Sequence, residues 1–109
     1  MPIQIIDNDE KLTYEIEGSK IFYRRITTLK RGVIVKRHTK RGKADWNAIT
    51  EEMLRYIITG WKNVQKSGEE ITFDPDLITA IPEDVLTEIL ELAGAPSHEL
   101  SGSEDTEKN

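Results

Sequence analysis

The clearest alternation in the chain runs Leu12-Thr13-Tyr14-Glu15-Ile16-Glu17, apolar then polar, the period of a half-buried strand. Gly18-Ser19 follows, and a Gly-X pair suits a type II′ turn, whose first central position needs positive φ. The next run, Lys20-Ile21-Phe22-Tyr23-Arg24-Arg25-Ile26, is β-branched and aromatic. The pattern therefore predicts a β-hairpin with strands over about 12–17 and 20–26. Ile3 to Ile6 offers an additional edge strand, joined to the hairpin through the acidic 7–10 turn.

The pattern changes at Thr27. Val33-Ile34-Val35 has strand propensity, and Gly32 costs a helix interior about 1 kcal/mol. Yet Ile26, Leu29, Val33 and Val35 lie near helical spacing, and Thr27 or Thr28 can serve as N-cap. Helix and strand both stay open over 28–41. The balance leans to a helix whose last turn is the basic run before Gly42, where cations suit the dipole.

Asp45 caps a second helix over 45–59, with Trp46, Ile49, Met53, Tyr56 and Ile57 at three- and four-residue spacing. Leu54 and Ile58 widen the stripe, as expected of a central helix touched by more than one neighbour. Gly60 closes it, and Trp61 packs back. Lys66-Ser67-Gly68-Glu69 reads as a turn and Ile71-Thr72-Phe73 as a short extended piece. Asp74-Pro75 opens a short helix over 75–80, with Asp as cap and Pro at the first position. Pro82 opens the last helix, 82–93, whose stripe is Val85, Leu86, Ile89, Leu90 and Ala93, stopped by Gly94. The sum is an α+β, mostly helical fold: an N-terminal hairpin packed with a small helical bundle, in a single domain over 1–94. Residues 95–109 are polar and acidic, the composition of a disordered tail.

Composition narrows the chemistry. The chain has 109 residues and no cysteine, which excludes disulfides, thiolate nucleophiles and sulfur-ligated metals. No apolar run approaches the ~18 residues of a membrane helix, and no signal-peptide pattern opens the sequence, so the expected compartment is the cytoplasm. His38 stands among Lys36, Arg37 and Lys40, whose charges repel a metal cation, and reads as a surface residue. The five serines fall in turns or tail without a nucleophile elbow, and no phosphate-cradling glycine motif occurs. The residues therefore point away from an enzyme, and no cofactor is expected.

The charge of -5 is unevenly spread. Residues 1–60 carry 12 bases and 8 acids, and residues 61–109 carry 3 bases and 12 acids. From Lys20 to Ala44 there are ten bases and no acid. A solvated basic face balanced by the acidic second half accounts for this, and a polyanion site is the alternative. Arg24, Arg25, Arg31, Lys36 and Arg37 are the candidate contact cations. Trp61 is the candidate aromatic anchor, weighed evenly against a core role, whereas Trp46 reads as core.

Two blocks carry a resemblance. One is the hairpin running into the basic stretch, IEGSKIFYRRITTLKRGVIVKRHTKRGKADW; the other is YIITGWKNVQKSGEEITFDPDLITAIPEDVLTEILELAG. Their Gly-Trp, Gly turn, Phe-Asp-Pro start, Ile-Pro and closing amphipathic helix resemble small tail assembly chaperones of long-tailed bacteriophages and prophages, over about residues 12–94. The resemblance implies a non-catalytic role in tail morphogenesis. Such proteins keep the tape-measure protein soluble, help tail-tube subunits assemble, tend to self-associate, and are absent from the finished tail. It transfers no catalytic residue. The competing readings are a small nucleic-acid-binding regulator using the basic 20–43 stretch, and another virion component such as a connector.

Overall fold

The computed structural model describes residues 2–7 and 9–95. Strands β1 (Leu12–Ile16) and β2 (Ser19–Tyr23) form the expected hairpin and lead into helix α1 (Thr28–Arg37). A second, two-residue-strand hairpin, β3 (Thr39–Lys40) and β4 (Lys43–Ala44), precedes the central helix α2 (Trp46–Ile57). Strand β5 (Ile58–Lys62) leaves α2 directly, and a third hairpin, β6 (Gln65–Lys66) and β7 (Glu69–Glu70), follows. A 3-10 helix (Pro75–Ala80) and helix α3 (Glu83–Leu92) end the fold. The hairpin is packed against a small helical bundle, so the molecule is α+β.

The main sheet is antiparallel in the order β1-β2-β5. Lys20 pairs with Lys62 and Phe22 with Gly60, and a bulge after Phe22 brings Tyr23 opposite Ile58. One sheet face supplies Ile21, Tyr23, Ile58 and Trp61 to the core. α2 adds Ile49, Met53, Leu54 and Ile57, and α3 adds Val85, Leu86, Ile89 and Leu90. A single hydrophobic cluster joins these with Ile26, Ile34 and Ile78. Full burial of one such isoleucine contributes about 1.5–3 kcal/mol.

Several boundaries differ from expectation. The first turn is Glu17-Gly18, not Gly18-Ser19: φ is +50° and +86° at the two central residues, a type I′ turn that matches the strand twist. Arg41-Gly42 and Ser67-Gly68 repeat that geometry. The Arg41-Gly42 turn explains why the first helix stops at Arg37 rather than 41. Thr39 and Lys40 pair with Ala44 and Lys43, and the Thr39 hydroxyl donates to the Val35 carbonyl at 2.7 Å. The second strand ends at Tyr23 and the second helix at Ile57. Gly60 is a residue of β5, paired with Phe22, rather than a helix stop.

Residues 3–6 form no strand. Ile3 and Ile5 are 92% and 88% exposed, and pairing there would gain ladder bonds without burying a face. Of the expected tail only Ala95 lies within the described residues, and it belongs to the domain. It is 1% exposed, and its N–H donates to the Leu90 carbonyl at 2.8 Å. With Gly94 at φ +90° donating to the Glu91 carbonyl, this is a Schellman closure of α3. The rest of that tail lies outside the described residues.

Candidate docking surface

α1 is held at both ends. Thr27 caps it, its hydroxyl accepting from the Lys30 N–H at 3.1 Å. At the other end the His38 N–H donates to the Val35 carbonyl. Its one buried residue is Ile34, and it packs against α2. Leu29 and Val33 are not core positions, although their spacing suggested it: they are 78% and 43% exposed. At 100° per residue, Thr28, Leu29, Gly32, Val33 and Lys36 fall within one arc of the helix, on the side away from Ile34. Arg31, Val35 and Thr39 continue that surface as one wall of a shallow groove with Thr28, Gly32 and Lys36.

Gly32 sits in the middle of this face without a local reason. Its φ is not positive, and a Cβ there would meet no atom within 4 Å. A glycine in a helix interior costs roughly 0.5–1 kcal/mol relative to alanine. Among the described residues, no contact beyond its own stretch of helix requires a glycine there.

The candidate cations separate into two groups. Arg24 lies with its guanidinium carbon 3.9 Å from the Tyr56 ring centroid and donates from Nε to the Tyr56 carbonyl at 2.8 Å. Lys30 approaches the same ring at 5.0 Å. Arg25 grips Glu10 through Nε and Nη2 at 2.6 and 2.8 Å, and this pairing holds the Glu10 carboxyl below its ordinary range. Arg37 pairs with Glu52, whose other oxygen lies 2.7 Å from His38 Nε2. Burial opposes ionisation of Glu52, but the His38 hydrogen bond and the Arg37 charge outweigh it, so its pKa is lowered. His38 is thus a half-buried link between α1 and α2.

The second group faces outward. Lys36, Lys40, Arg41 and Lys43 are exposed and make no salt bridge among the described residues. Arg31 reaches the Gly94 carbonyl at 3.5 Å. Lys36 lies one turn from Val33, and Lys40, Arg41 and Lys43 follow in the β3–β4 hairpin that leaves the end of α1.

Trp61 is placed in the core, 7% exposed. Its Nε1 donates to the Ile71 carbonyl at 3.0 Å, and its ring meets Phe73 edge-on at 4.9 Å. An indole so enclosed is a packing residue with its polar edge satisfied. It lines the floor of a second shallow groove with Ile16, Val64, Ile71, Leu77 and Ile81. Trp46, expected in the core, is only half-buried against it.

No family model, curated protein or solved structure matches this chain. Among the described residues no group of three or more His, Asp or Glu side chains is disposed to hold a metal ion. No described helix is long and apolar enough to cross a membrane.

The sequence singled out the cations around α1. It missed Leu29, Gly32 and Val33 as surface. The available signal was that valines and isoleucine at 33, 34 and 35 cannot all face one core from a single helical turn.

Proposed function

We propose that the protein is a non-catalytic binding domain that captures an amphipathic helix along the exposed face of α1, in the manner of a cytoplasmic phage tail assembly chaperone. The observation that carries this reading is the Leu29–Gly32–Val33 face, exposed among the described residues, with Lys36 one turn on and Lys40, Arg41 and Lys43 in the hairpin that follows α1. A helix laid in a groove is read through anchors three and four residues apart, and a glycine lets its backbone approach closely. The cations at the end of α1 select a segment with acidic flanks. The resemblance supplies the partner class: tape-measure protein, helical and apolar along one face, needing cover before the tube encloses it, with tail-tube subunits as the second partner.

The engagement of Arg24, Arg25 and Arg37 within the domain weakens the nucleic-acid alternative, which depends on the same bases. The test is recovery of the tagged protein from a nuclease-treated lysate of tail-producing cells. Tape-measure or tube protein retained by the parent chain and lost from a Leu29→Asp variant supports the reading. Retention of nucleic acid alone, released by salt, overturns it.

A further inference from the structure

β1 is an edge strand with one open side. Among the described residues it pairs only with β2, in the register Leu12–Tyr23, Tyr14–Ile21 and Ile16–Ser19. The two-residue type I′ turn at Glu17-Gly18 makes Ile16 and Ser19 a hydrogen-bonded pair, so Tyr14 and Leu12 also direct their backbone groups at β2. The far side of β2 agrees: Lys20 and Phe22 alternate with those residues and pair with β5. Thr13 and Glu15 therefore turn their N–H and C=O groups away from the sheet, and no described residue bonds to them. β1 contains neither the proline nor the bulge that usually blunts such an edge.

We propose that two copies of the chain join β1 to β1 antiparallel, continuing the sheet across a two-fold axis at Tyr14. A second copy must offer its own outward-facing groups, so the hydrogen-bonded pairs are drawn from Thr13 and Glu15. Thr13 opposite Thr13 leaves Glu15 and Ile16 beyond the end of the opposing strand, and Glu15 opposite Glu15 sets like charges face to face. Thr13 opposite Glu15 pairs the whole strand, from Leu12 against Ile16 through Tyr14 against Tyr14. That register also sets Lys11, just before the strand, against Glu17, just after it, at both ends of the seam. Lys11, Thr13, Glu15 and Glu17 are all exposed. A strand with opposite charges at its two ends complements a reversed copy of itself, which is the match a two-fold antiparallel seam requires. On the core side Leu12, Tyr14 and Ile16 are half-buried, and pairing covers their open flank. The seam uses no residue of α1 and does not rest on the docking role.

The test follows the full chain by sedimentation equilibrium at rising concentration, where a monomer–dimer equilibrium is expected. Lys11→Glu and Glu17→Lys should each weaken pairing about tenfold, because both ends of the seam then oppose like charges. An equimolar mixture of the two variants should pair again, since opposite charges then meet at both ends. Amide spectra unchanged outside the first hairpin show that each variant is folded. In a mixed sample of isotope-labelled and unlabelled chains, an intermolecular Hα–Hα contact is expected at Tyr14, because directly opposed residues outside the hydrogen-bonded pairs approach most closely. A chain that stays monomeric to millimolar concentration overturns the proposal. So do dimers that both charge reversals leave intact, or an intermolecular contact found elsewhere than β1.

Discussion

Tyr14 Oη donates to Glu88 Oε1 across 2.7 Å, tying the edge strand β1 to α3, 74 residues away. The bond exists only while the phenol keeps its proton. The Glu88 hydrogen bond, then burial, then the carboxylate charge push the Tyr14 pKa up to about 12. Folding stability from this contact is fully present below the unfolded pKa near 10 and is lost as pH rises through about 12. Ultraviolet titration should show a late phenol from Tyr14. Glu88→Gln should bring it back toward 10, and an unchanged late titration in that variant would show that another group is responsible.

Acid should loosen a different part of the molecule. Glu10 and Glu52 both have carboxyl pKa values below their ordinary 4.5, through Arg25 in one case and through His38 and Arg37 against burial in the other. Depressed carboxyl values give stability that is present above the unfolded pKa and lost as pH falls through the folded one. Denaturant midpoints should therefore fall steadily below about pH 4.5. Glu52→Gln should lower the midpoint at neutral pH and flatten that acid slope. A parallel slope in the variant would place the acid sensitivity elsewhere.

The stretches that could be read in advance are those where one face of an element meets one core. The Leu12–Glu17 alternation and the Val85–Ala93 stripe were plain because each element has a single buried side. Asp45, Thr27 and Asp74 were legible as caps for a local reason: each side chain accepts from a backbone N–H two or three residues on. The 38–44 hairpin was not legible. Its strands are two residues long, and an Arg-Gly pair serves a helix stop and a type I′ turn equally well. The exposed α1 face was hidden for a related reason. Leu29 and Val33 keep helical spacing with each other but lie on the far side from Ile34, and tertiary packing alone decides which row goes inward.

Lys36 and Arg37, adjacent in sequence, should behave oppositely on charge reversal. Lys36→Glu breaks no salt bridge among the described residues and reverses only a dipole contribution in the last turn of α1, so stability should fall by no more than about 1 kcal/mol. Capture of an acidic helix should nonetheless weaken. Arg37→Glu places a carboxylate against Glu52 and should lower the melting temperature whether or not a ligand is present. Thermal melts of the two single variants, followed by capture assays, separate binding from folding. Equal destabilisation by both would remove Lys36 from the docking surface.

Gly32→Ala sets stability against function at one position. The backbone there is helical, and the added methyl meets nothing within 4 Å, so helix propensity is the only term that acts in the isolated domain. Alanine should stabilise the fold by about 0.5–1 kcal/mol, visible as a higher denaturant midpoint with an unchanged slope. On the docking face the same methyl fills the space into which a partner backbone would settle, and affinity should fall. A more stable variant that captures its partner less well is the signature of a glycine kept for an external contact. A variant more stable and equally competent would mean that the partner helix passes over Leu29 and Val33 without approaching Gly32, shifting the docking axis toward the β3–β4 turn.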